Sequence, residues 1–338
     1  MNRLFPERLD RLAEPYWLPS NRGRGDDPTD FTVVTGYFDI GRESWRGSVK
    51  GHAIPDWIVR TNDDYLGNFR LLARLKNELI VFTEPRFAAA VVAARRATGL
   101  EDATVVMTLD RPFERDPTLA ATRARIAAAM RDRLLDFVEA PQKPEAFSPE
   151  YVLVTALKPA FTVAALDLGL VTRPQLAWLD FSYCRDPQSF NPDYPWRFAC
   201  GDKLHVFTIE TPDGRSPAEM VRTAYCPFHG AQIFGPPQLW PRYRDLVERA
   251  LAELLEQSLA DDDQGLMLMA WRAAPELFAV HAVPRRDRFC ALRLFNSAVP
   301  ADRLPPPPAA SRRSPRQRLL NELSRLTRRF RAATGGAG

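Results

Sequence analysis

Three clusters of residues in this chain have types and spacings suited to polar chemistry. The first is Asp39-Ile-Gly41-Arg42. A glycine there admits close approach of a ligand to the backbone, and an arginine can bind a phosphate through two N–H groups. The second is Trp178-Leu-Asp180-Phe-Ser182-Tyr-Cys-Arg185. An aspartate at the end of a buried strand is costly unless a cation or hydrogen-bond donors meet it. Mg²⁺ or Mn²⁺ carrying a diphosphate would supply that cation, since both ions favour carboxylate oxygens together with phosphates. Asp180, with Ser182 beside it, is therefore the candidate metal site. The third is Asp261-Asp262-Asp263-Gln264-Gly265. Adjacent acids repel one another, but one of them can orient or deprotonate a hydroxyl. Each cluster also has a plain reading: an Asp turn with a solvated arginine, a cap, and an acidic helix start that suits the helix dipole.

These clusters need a frame. FTVVTGYF (31–38), ELIVFTEP (78–85) and ATVVMTLD (103–110) are rich in β-branched and aromatic residues and read as buried strands. Helical patterns separate them, at about 56–75 and at 86–98, where Gly99 is placed to end the second. The order β-α-β-α-β implies right-handed crossovers and a parallel core. Further helices are expected at 117–138, 149–168 and 241–258, with another after the acidic loop to about 273. Strands are expected at 175–180 and 203–210, and extended chain near 277–283 and 288–295. The class is thus α/β, a mixed sheet flanked by helices in one main domain over 31–300. Residues 1–30 read as a loose polar arm, and 301–338 as a proline-rich linker and a basic tail. In open sheets of this kind ligands bind beyond the carboxyl ends of the parallel strands, where all three clusters fall.

The totals exclude some functions. Of 338 residues, 45% are apolar and 26% charged, a globular composition. The net charge of +4 is uneven: residues 311–338 hold eight Arg and one Glu, so that tail carries +7 and the rest about −3. Such a body lacks the cationic surplus of a nucleic-acid binder, and no nucleic-acid partner is expected. The four cysteines have no zinc-like spacing, which suits reduced thiols and a cytoplasmic location. No signal peptide or membrane-spanning stretch is expected. In the tail, Leu319, Leu323, Leu326 and Phe330 recur at helical spacing among arginines. Such a helix can lie on an anionic membrane surface, which would make the protein peripheral on the inner face of the plasma membrane.

VVTGYFDIGRESW, PDWIVRTNDDYLGNFRLLARLKNELIVFT, LKPAF, WLDFSYCR, HGAQIFGP and DDDQGLMLMAW, taken together and in this order, resemble the bacterial HtrL/YibB family from Thr32 to Val283. The resemblance implies a GT-A-like, Rossmann-type fold and a glycosyltransferase that uses a nucleotide-diphosphate sugar, with a lipopolysaccharide or other surface-polysaccharide acceptor, a glycan or glycolipid. It carries donor-binding roles to Asp39, Gly41, Arg42, Arg60, Thr61, Asn62, Tyr65 and Lys158. It carries the metal, Mn²⁺ or Mg²⁺, to Asp180, whose D-x-S resembles the D-x-D of such transferases with Ser182 in place of the second acid. His281 is a further candidate at the metal, with a packed histidine as its plain reading. Gly230 and Gly235 match an acceptor-side loop, although His229 and Pro236 stand where further glycines are expected. Asp262, Asp263 and Gln264 match the catalytic acidic step. The alternative is a non-catalytic sugar-nucleotide-binding or scaffold protein that keeps the fold.

Overall fold

A computed structural model describes residues 3–20, 22, 23 and 25–300. Its strands are β1 (Glu14–Trp17), β2 (Phe31–Tyr37), β3 (Ser48–Val49), β4 (His52–Ala53), β5 (Glu78–Thr83), β6 (Thr104–Thr108), β7 (Gln175–Leu179), β8 (Leu204–Thr208), β9 (Gln232–Gly235) and β10 (Phe278–Ala282). β3 and β4 form a separate two-stranded hairpin. The other eight form one mixed sheet in the order β1-β6-β5-β2-β7-β9-β8-β10. β2 pairs in parallel with β5 and β7, and β5 with β6, as the alternation of strands and helices requires. β9 runs antiparallel to β7 and β8, and β1 antiparallel to β6.

Side chains alternate between two cores, one on each face of the sheet. Val34, Ile80, Phe82 and Trp178 enter one, and Val33, Leu79, Val81 and Ala177 the other. A strand with period two can fill both only if both faces are covered, so its sequence reads as a continuous apolar run. The Asn62–Leu72 and Pro85–Arg96 helices cover one face. The Pro117–Ala129, Pro149–Ala156, Lys158–Asp167 and Trp240–Glu256 helices cover the other. In Pro85–Arg96 the inward residues are Phe87, Ala88, Val91, Val92 and Arg95, the spacing of one helix face.

The structure differs from the sequence expectation at the first long helix, which begins at Asn62 and not near 56, and in three further places. The N-terminal segment is not a loose arm: Leu4 and Phe5 are buried, and β1 extends the sheet. Glu248 accepts hydrogen bonds from the Leu4 and Phe5 backbone N–H groups at 2.6 and 3.0 Å and anchors the segment. Its polar residues hid two buried anchors. The helix expected over 149–168 is two helices. Pro159 has no N–H to continue the ladder, so a new helix starts at Lys158. Residues 288–295 are turn and a short helix, Ala291–Leu294, and not a strand. The basic tail and its membrane helix lie outside the described residues. No helix among the described residues is long and apolar enough to cross a membrane.

Candidate functional site

The chain builds β2, β5 and β6 toward one side and then returns to place β7 on the other side of β2. Neighbouring parallel strands whose connections diverge leave a crevice at their carboxyl ends. A cavity of about 510 Å³ opens there. It is lined by the ends of β2 and β7, the start of the Lys158–Asp167 helix and the acidic loop 261–264.

Lys158 is the centre of its floor. Its Nζ lies 2.7 Å from Asp180 Oδ1 and 2.5 Å from Asp263 Oδ2, and donates to the Gly230 carbonyl at 3.0 Å. An ammonium has three protons, and three acceptors take them. Burial alone would lower the Lys158 pKa, but the Asp180 and Asp263 carboxylates outweigh it and raise it. Trp178 Nε1 donates to the same Asp180 oxygen at 2.9 Å. Gly230 is required by this packing: a Cβ there would fall 1.9 Å from Asp263 Oδ2. Gly265 has the same relation to Asp261, at 2.1 Å.

Asp262 is the N-cap of the Asp263–Ala273 helix and accepts from the Gln264 N–H at 3.0 Å. The plain reading of the acidic run therefore holds for its backbone, yet the side chains line the cavity. Burial pushes the Asp262 carboxyl up to about 7, with the nearby Glu145 carboxylate adding to the shift. A carboxyl in that range can take a proton at neutral pH. Burial raises Asp263 too, against the pull of Lys158.

The mouth is basic. Arg60, Arg185, Arg285 and Arg288 line it. Arg185 and Arg288 flank the Phe289 ring at 4.1 and 5.1 Å. Arg285 pairs with Glu210, whereas Arg60 and Arg185 pair with no carboxylate among the described residues. Trp57, 64% exposed, stands on the same rim.

The structure brings together Asp39, Arg42, Arg60, Tyr65, Lys158, Asp180, Ser182, Gly230, Asp262, Asp263 and Gln264 around this cavity. Several of the rest support it. Thr61 caps the Asn62–Leu72 helix in a reciprocal capping box with Asp64. Asn62 accepts from the Tyr37 hydroxyl at 2.5 Å and donates to Asp39 at 3.1 Å. Gly41 takes a left-handed turn, φ 77°, that carries the chain away from β2. Arg42 is committed to the protein: it donates to the Ile58 carbonyl at 3.1 and 2.8 Å and to the Tyr65 hydroxyl at 2.7 Å, with Trp45 and Tyr151 rings nearby. It holds the loop from which Trp57 and Arg60 project. Gly235 lies outside the cavity, where β9 packs 2.5 Å from a would-be Cβ against the Lys203 carbonyl.

His281 is also elsewhere. It sits on β10, 2.8 Å from His205 across parallel strands, among Phe207 and Phe295. Of the expected metal set, this leaves Asp180, already held by an ammonium and an indole, and the Ser182 hydroxyl. No group of three or more His, Cys, Asp or Glu among the described residues is arranged to hold a metal. As placed, Asp180 and Ser182 are a poor fit for a divalent ion, because the one carboxylate is already engaged by an ammonium. Sequence reasoning also missed Glu145, Tyr151, Arg285 and Arg288, which come from segments without a motif. Arg185 stood in a motif, but nothing local marked it as facing the cavity.

A sequence profile described as "Bacterial protein of unknown function (HtrL_YibB)" matches residues 29–297. The chain belongs to the HtrL/YibB family. Protein HtrL of Escherichia coli (strain K12) is 32% identical over 274 residues, which cover 79% of this chain and 92% of HtrL. The familial resemblance of the motifs is thereby borne out. Among solved structures, the PaToxG glycosyltransferase aligns over 78% of this chain and 72% of its own, with 9% identity and a TM-score of 0.27. Superposition at that level carries no argument about activity.

Proposed function

We propose that this HtrL/YibB protein is a glycosyltransferase that binds a nucleoside-diphosphate sugar in the cavity and passes the sugar to a hydroxyl of a surface glycan or glycolipid. One observation carries the reading: a cavity of about 510 Å³ at the strand ends is lined by Arg60 and Arg185, which pair with no carboxylate among the described residues, and by a carboxyl that burial pushes up to about 7. Arg60 and Arg185 suit the diphosphate, because guanidinium groups bind phosphate oxygens through paired N–H donors. In the transfer, the acceptor oxygen forms a bond to the anomeric carbon and the bond to the β-phosphate oxygen breaks. The electron pair leaves with the diphosphate, and fixed cations lower the barrier where that charge develops. Asp262 takes the acceptor proton.

Melting temperatures measured against UDP-, GDP- and dTDP-sugars, with a CMP-sugar as a monophosphate control, test the reading. One diphosphate sugar should stabilise the protein, by about 2.7 kcal/mol at a hundred times its Kd. Asp262→Asn should keep that stabilisation and lose transfer. Absence of any shift from folded protein would overturn the proposal in favour of a scaffold role.

A further inference from the structure

We infer that the Lys158 ammonium occupies the position at Asp180 that a divalent metal would take, offsets the carboxylates there, and leaves the diphosphate to the arginines that line the cavity. The inference rests on the transferase reading for its ligand, the diphosphate of a sugar nucleotide. Its basis is the geometry of the floor. The ammonium lies 2.7 Å from Asp180 and 2.5 Å from Asp263, and its third donor is fixed by the Gly230 carbonyl. No donor is left to exchange, and the lysine is almost fully buried. The position is set by two backbone devices. Pro159 starts a new helix at this residue, and the absence of a side chain at Gly230 makes room for Asp263. A metal bound to Asp180 would have to displace the ammonium or share its carboxylate with it, and like charges at that separation repel. The D-x-S motif follows from this: with a lysine supplying the charge, a second acid at 182 has no cation to hold. The arginines that line the cavity are then the cations a diphosphate would meet.

The test is calorimetric titration of MnCl₂ into the full-length protein without nucleotide. The expected result is no binding tighter than about 1 mM, since a lone shared carboxylate is a weak ligand. Lys158→Met should create Mn²⁺ affinity at least about tenfold higher, by freeing two facing carboxylates. Binding of UDP, GDP or dTDP to wild-type protein should be the same in EDTA and in Mn²⁺, within about twofold. Stoichiometric micromolar Mn²⁺ binding to the wild type, abolished in Asp180→Asn, would overturn the inference, and that arm decides it even if Lys158→Met fails to fold. If none of the nucleotides binds under either condition, the transferase reading fails, and the Mn²⁺ titration still decides the role of Lys158.

Discussion

Arg95 and Lys158, two of the buried cations among the described residues, are held differently. Arg95, on the inner face of the Pro85–Arg96 helix, is fully buried and meets no carboxylate among the described residues. It donates to the Ala73, Leu75 and Asn77 carbonyls at 3.0, 2.5 and 3.0 Å and to the Thr104 hydroxyl at 2.7 Å. Those carbonyls end the Asn62–Leu72 helix and lead into β5, so the guanidinium ties helix to sheet. Lys158 is held by two carboxylates at the bottom of an open cavity. Neutral carbonyls have nothing to give up, and a cation among them is architecture. Carboxylates that share a cation beside a cavity set the charge that a ligand meets there. Burial is common to both; what lies on the far side of the partners separates them.

Substitutions can break this comparison. Lys158→Ala leaves two acids without their cation and should cost about 3–5 kcal/mol, as expected for one partner removed from a buried ion pair. Nucleotide binding should disappear with it. Denaturant unfolding would check the first part and calorimetry the second. Arg95→Ala should cost about 3 kcal/mol through several lost hydrogen bonds to a charged group, yet the folded fraction should bind nucleotide normally. Loss of binding in folded Arg95→Ala would erase the distinction. Gly230→Ala should cost about 1–3 kcal/mol by overpacking and disturb binding, because the new Cβ meets the Asp263 carboxylate. A neutral result in a melt would show that the floor can shift.

The smallest expected effect is one of pH, and it falls away from the cavity. His281 is held down to about 4 by burial and by His205, and burial lowers His205 too. Both folded values lie below the ordinary value of roughly 6.5, so the unfolded chain binds more protons as pH falls. The stability these neutral rings contribute is full above about 6.5 and is lost as pH falls toward 4, by about 1–2 kcal/mol after allowance for solvent screening. His281→Phe should flatten that slope in melts between pH 7 and pH 4. A slope unchanged in the variant would place the titration at another group.

How much of this was legible beforehand follows from the range of each interaction. The parallel core showed in three apolar segments separated by helical patterns, because burial on both faces leaves a continuous apolar run. The acidic start of the helix capped by Asp262 was likewise local, whereas the Thr61 capping box, equally local, was hidden by a helix expected from about 56. Segments 39–42, 178–185 and 261–265 were recognisable as polar groups at strand and helix ends. What they do to one another was not. Lys158 is 22 residues from Asp180 and 105 from Asp263, and no periodicity relates them. The sheet order, which sends β7 to the far side of β2, brings the three to one point. The same order separates His281 from Asp180 by putting β10 at the sheet's edge. The sequence by itself determined the elements, their caps and the supply of charged residues, since those depend on neighbours along the chain. Only the tertiary structure decided which charges share a desolvated floor, which arginines line the cavity and which is spent holding a loop, because those depend on distances across the fold.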